Sequence, residues 1–144
     1  MNYWIFIANQ SHWDWLKQEI GEVEQWTAIS KDGKIKNHFS RVQKGDKVIG
    51  YSSGQRKSFV SLGVIETTLT ENDGYKYIEI RKTLDFKTPL SLHKANKIPP
   101  FDSLLKGPRL NTTAIPLKFE EFNALISLTT EAFLDSYDIN KCIK

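Results

Sequence analysis

A single cysteine, Cys142, occurs among the 144 residues, which excludes an internal disulfide and a cysteine-based metal centre. The three histidines, His12, His38 and His93, are scattered without the spacing of a zinc site, so no metal is expected. The eight glycines form neither a Gly-x-Gly-x-x-Gly turn nor a Walker-type loop, which argues against nucleotide hydrolysis and leaves no cofactor motif. Tyr51-Ser52-Ser53-Gly54 places serines after a strand-like run. It lacks the Gly-x-Ser-x-Gly elbow, and no histidine has an evident carboxylate partner. A binding protein is therefore expected rather than an enzyme. No run approaches the roughly 18 apolar residues of a membrane helix, and Tyr3-Trp4-Ile5-Phe6 follows the start without a basic region or cleavage site. These features predict a cytoplasmic protein without a membrane partner.

Apolar residues make up 40%, charged residues 26% and aromatics 12%, the profile of one soluble globular domain rich in rings. The net charge of +3 is small, but its distribution is uneven. Lys31, Lys34, Lys36, Arg41, Lys44, Lys47, Arg56 and Lys57 face only Asp32 and Asp46 within one quarter of the chain, a local excess of six positive charges. Such a segment is either a phosphate-facing surface or a solvated one. Asp14, Glu19, Glu22 and Glu24 surround a predicted first helix and read as dipole-stabilising or solubilising acids.

The apolar run Tyr3 to Ala8 predicts a central strand covered on both faces. Ser11, with Asp14 three positions on, predicts a helix start; Trp13, Leu16 and Ile20 recur at helical spacing before Gly21. A second strand is expected from Val23 to Ile29, a turn at Lys31-Asp32-Gly33-Lys34 and a short helical turn from Asn37 to Val42. Strands Lys47 to Ser52 and Ser58 to Thr68 should form a hairpin. Ile78, Ile80, Leu84 and Phe86 share one parity, predicting a long strand with one buried face; Tyr75 and Tyr77 share the other. Short helices are expected from Pro99 to Gly107 and from Leu117, where Phe119, Phe122 and Ile126 form a stripe. The order predicts an α+β fold, a bent mixed sheet or small barrel with helices on its rim.

Trp26 stands alone in a polar stretch, Glu24-Gln25-Trp26-Thr27. It either caps the core or stays open to stack on a flat ligand, and the local sequence leaves both open. Trp4 reads as core. Taken together, Tyr3-Trp4-Ile5-Phe6, Trp26, Asn37-x-Phe39 ahead of Lys44-Gly45-Asp46, Tyr51-x-Ser53 and Gly63-Val64-Ile65 resemble the EVE domain family, which belongs with the PUA-like and YTH domains. The motifs run from about Met1 to Glu66, and the order of elements extends the resemblance to about Leu128. Residues 1–128 are thus expected to form an EVE-like modified-base-binding domain, and 129–144 a C-terminal helix or a tether to a further domain.

The resemblance implies a bent PUA-like barrel whose pocket receives a modified base, with Trp26 as one wall of an aromatic cage and Thr27 holding the base edge. By the same resemblance Asn9, Gln10 and Ser11 after the first strand face the pocket, and Tyr51 and Ser53 border it. Trp13, Tyr75 and Tyr77 compete for the second wall. Lys31, Lys34, Lys36, Arg41, Arg56, Lys57 and Arg109 are the expected phosphate contacts. Where relatives carry Ser-Glu-Pro after the first strand and an Arg-Asn-Tyr-rich segment after the tryptophan, this chain has Ala8-Asn9-Gln10 and Thr27-Ala28-Ile29-Ser30. This departure resembles the modules at the N-termini of modification-dependent restriction proteins of the McrBC kind, which implies fusion to a GTPase motor with a partner nuclease. The expected function is recognition of a methylated base in DNA by flipping it into the pocket. The alternatives are a reader of modified RNA and a small-ligand or protein-interaction module.

Overall fold

The computed structural model describes residues 1–99, 101–104 and 112–130. Six strands form one mixed sheet: β1 (Tyr3–Asn9), β2 (Val23–Thr27), β3 (Lys47–Ser53), β4 (Ser58–Asn72), β5 (Tyr75–Ser91) and β6 (Ala114–Leu117). Their spatial order is β2-β5-β4-β3-β1-β6. β1 and β3 run parallel, Tyr3 opposite Lys47, while every other pairing is antiparallel. Three short α-helices complete the described chain: α1 (Leu92–Ala95), α2 (Phe101–Leu104) and α3 (Phe119–Thr130).

The parallel pair sits at the middle of the molecule because β1 and β3 are apolar on both faces. Ile5, Ile7, Ile49 and Tyr51 pack on one side with Phe59, Leu84, Phe86 and the Phe122, Leu125 and Ile126 stripe of α3. Trp4, Phe6 and Val48 pack on the other with Trp15, Phe39, Ile65, Ile78 and Ile80. On β1 and β3 alternate residues go to opposite faces, but on β5 the register shift at Leu62/Gly63 sends Ile78 and Ile80 to one side and Leu84 and Phe86 to the other, so their shared parity does not give the single buried face expected. Trp4 is core, and its indole Nε1 donates to the buried carboxylate of Asp46 at 3.0 Å.

The sheet curls strongly. β2 and β1 are four strand spacings apart, about 19 Å in a flat sheet at roughly 4.8 Å per step. Yet the ring of Phe6 on β1 lies 5.4 Å from that of Trp26 on β2. The β4–β5 pairing shifts register at several points along its length, and such bulges provide the bend. This is the expected bent, barrel-like sheet with helices at its rim.

Several local expectations need correction. The helix expected from Ser11 to Gly21 is only a single 3-10 turn at Trp15–Lys17, capped by Asp14, whose carboxylate accepts from Leu16 N at 2.9 Å. Leu16 and Ile20, the expected packing residues, are exposed, and Trp15 is fully buried in their stead. β2 stops at Thr27; Ile29 makes an isolated bridge to Ile35 across the Lys31–Lys34 turn. Phe119, placed in the apolar stripe by its spacing, is half exposed at the start of α3, where its ring meets only the edge of the core at Tyr3, 5.5 Å away. β6 was not anticipated. Of the helix expected over Pro99 to Gly107, only α2 falls within the described residues, and the expected C-terminal helix or tether falls outside them beyond Thr130.

Candidate functional site

A cavity of about 390 Å³ opens where the C-terminal end of β1 meets β2. Ile7, Ala8 and Asn9 form one side, the stretch Glu24 to Thr27 another, and His12, Trp13, Lys36 and Thr113 complete the rim. Its size lies within the roughly 300–1,000 Å³ of small-ligand pockets.

Three indoles shape its wall. The rings of Trp13 and Trp26 lie 4.9 Å apart at 65°, and Trp15 packs on both at 5.0 and 5.5 Å. Trp15 is buried beneath them, whereas Trp13 and Trp26 are only partly buried and face the cavity. Trp15 can occupy this seat because β3 has a glycine opposite. A Cβ on Gly50 would lie 2.5 Å from the Trp15 ring.

Two ionic anchors hold the loop that carries Trp13 and Trp15. The guanidinium of Arg56 grips the Asp14 carboxylate through both nitrogens, the Nη2–Oδ2 contact measuring 3.0 Å. That hydrogen bond, more than any other influence, holds the Asp14 carboxyl below the usual carboxylate range. Behind the loop, Lys82 is fully buried although it shares the parity of Ile78, Ile80, Leu84 and Phe86. Its Nζ donates to Trp15 O at 2.9 Å and Gln18 O at 2.5 Å, and pairs with Asp85 at 2.6 Å.

The cavity brings together four of the expected base-contacting residues, Asn9, Trp13, Trp26 and Thr27. Trp13, and neither Tyr75 nor Tyr77, packs edge-to-face against Trp26 at the cavity. The Asn9 Oδ1 accepts from Ser11 N at 3.0 Å and Ser11 Oγ at 2.7 Å, so this pair turns the chain after β1. Gln10 and Ser11 line an adjoining depression of about 370 Å³, bounded also by Trp13 and Glu24. Tyr51 is not at the cavity: it points to the opposite face of the sheet, packs 4.9 Å from Phe59, and burial pushes its hydroxyl up to about 12. Ser53, its neighbour on β3, does not line the cavity either. Tyr75 and Tyr77 stack on each other at 5.6 Å, on the parity of β5 opposite to Ile78, the register partner of Trp26.

Of the expected phosphate contacts, Lys36 is on the cavity rim, its Nζ 5.6 Å above the Phe39 ring. Burial lowers its pKa. Lys34 joins Lys36 in a neighbouring hollow of about 340 Å³, and Lys31 is exposed on the same turn. Arg41 contacts His38 at 3.1 Å, and Lys57 is exposed just ahead of β4. Arg56 is paired with Asp14, and Arg109 lies outside the described residues. His12, Glu24, Gln25 and Thr113 line the cavity without having been anticipated. For Glu24 a signal existed, since it shares the parity of Trp26 on β2. Among the described residues no group of three or more His, Cys, Asp or Glu could hold a metal, and no helix is long and apolar enough to cross a membrane.

A curled mixed sheet with an aromatic-walled cavity at a strand end defines a PUA-like domain. The profile of the EVE domain matches residues 2–128, and the chain belongs to the EVE domain family. Solved structures show the same fold at low identity. A Rhodopseudomonas palustris protein is 21% identical over 95% of this chain and 97% of its own, with a TM-score of 0.76. A Leishmania major protein has a TM-score of 0.73 at 16% identity, covering 91% of this chain and 96% of that one. Human THYN1, solved in complex with DNA containing 5-methylcytosine, has a TM-score of 0.70 at 15% identity, covering 90% and 98%. No curated protein matches the chain.

Proposed function

We propose that this chain is a non-enzymatic DNA-reading domain that takes one methylated base out of the duplex into the cavity lined by Trp13 and Trp26. The observation that carries this reading is the pair of partly buried indoles lining one cavity beside Lys36. Extruding a base costs about a few kcal/mol, and stacking on an aromatic ring returns roughly 1–3 kcal/mol per base, the remainder coming from backbone contacts. Lys31, Lys34 and Lys36 lie on one turn at the rim, where they suit the flanking phosphates. The complex of the THYN1 relative with 5-methylcytosine DNA supports the ligand class. The resemblance to McrBC-type modules supports a setting in modification-dependent restriction, next to a GTPase motor and nuclease.

Titration of methylated and unmodified duplexes against the wild type and Trp26→Ala tests the reading. The wild type should prefer the methylated duplex, and Trp26→Ala should lose about 5- to 150-fold in affinity. Equal binding of both duplexes by the wild type would defeat it.

A further inference from the structure

Glu24 and Trp26 are two residues apart on β2, so their side chains leave the same face of the strand roughly 7 Å apart along it. Both are partly buried while their neighbours Val23, Gln25 and Thr27 are exposed, and both line the cavity. The Glu24 carboxylate makes no side-chain hydrogen bond or ion pair with any described residue. Lys36, which also lines the cavity, lies over the face of Phe39. The carboxylate is thus free to accept a hydrogen bond from a ligand donor in the cavity.

We infer that Glu24 selects the base by accepting a hydrogen bond from the amino group at the 4-position of a cytosine or the 6-position of an adenine, so that the cavity takes a cytosine- or adenine-type base and rejects thymine and uracil. An ionised carboxylate is acceptor-only, and it pairs with the N4 amino group of cytosine as it does in direct groove readout. A base with a carbonyl at that position would set two acceptors against each other. Methylation of the ring carbon leaves the amino group intact, so stacking and amino-group selection act on separate edges. This inference rests on the base-reading function proposed above.

5-Methylcytosine and thymine are the matched pair that isolates it, since they share the ring methyl and differ at the 4-position. Both are placed opposite an abasic site in otherwise identical duplexes, which equalises the cost of extrusion, and a third duplex lacking the base sets the background. The wild type should bind the 5-methylcytosine duplex at least about tenfold more tightly than the thymine duplex. The isosteric Glu24→Gln, whose amide offers either a donor or an acceptor, should bring the two within about twofold. Equal binding of both bases by the wild type, above background, overturns the role of Glu24 and leaves the base-reading function standing. An undiminished preference in Glu24→Gln overturns that role as well. Binding of both duplexes at background overturns the function and this inference together.

Discussion

Gly50 shows most directly how one residue sets the site. Its missing side chain is the space in which Trp15 lies, and Trp15 in turn supports Trp13 and Trp26. Gly50→Ala should destabilise the protein by about 1–3 kcal/mol through overpacking, seen as a lowered thermal midpoint, and should displace the indole cluster, seen as a shifted tryptophan emission. An unchanged midpoint and emission would show that the ring moves aside freely. Asp14 acts at the same scale through its charge. Its folded pKa lies below the ordinary carboxylate value, so the ionised form is favoured by folding. The stabilisation is therefore fully present above about pH 4 and is lost as pH falls through the folded pKa. Arg56→Ala removes the cause of the shift, so the stability gap between wild type and Arg56→Ala should narrow steadily from pH 6 to pH 2. Denaturant midpoints measured across that range check it, and a constant gap would sink the assignment.

Among the elements, those dictated by a local pattern were legible and those dictated by a distant partner were not. β1 declares itself as an apolar run, and β5 by the parity of Ile78, Ile80, Leu84 and Phe86. The loop after β1 misleads because Trp13, Leu16 and Ile20 do have helical spacing. The seat that decides the outcome is Gly50, on a strand that the local sequence cannot see. β6 is short, contains Pro116 and gains its identity only by pairing along β1 at the sheet edge, where proline is tolerated. The family resemblance points to Trp26 and Thr27, but it leaves three rings competing to accompany them, and only the curl of the sheet brings Trp13 against Trp26 at the cavity. Lys82 is the same lesson in charge: a lysine in an apolar register is the sign of a buried anchor. Lys82→Met keeps the length and apolar stem but leaves Trp15 O and Gln18 O without their donor. At about 1–3 kcal/mol for each buried polar group left unsatisfied, the variant should lose at least about 1 kcal/mol. Amide exchange across residues 15–18 should accelerate more than in β3, and uniform acceleration would show that the lysine supports the fold at large and not this loop.

On the scale of the whole molecule, the net charge understates the electrostatics, because the bases differ in how far the fold leaves them free. Lys47 and Lys82 are buried, so neither can meet a phosphate without disturbing the fold, and Arg56 is paired with Asp14. Lys31, Lys34 and Lys36 remain at the turn beside the cavity. If each neutralises one phosphate of a duplex, the logarithm of the binding constant should fall against the logarithm of salt concentration with a slope of about −2.7, at roughly −0.9 per contact. Lys34→Gln should flatten that slope by about 0.9 while leaving the preference for a methylated base unchanged, since Lys34 does not line the main cavity. Lys36→Gln differs in a diagnostic way: the side chain borders the cavity as well as the surface, so it should flatten the slope and also weaken binding of a single-stranded methylated oligonucleotide at fixed salt. Titrations of the three proteins at several salt concentrations separate these effects. A slope near zero for the wild type would show that the basic turn is merely solvated and that the phosphates are met elsewhere on the surface.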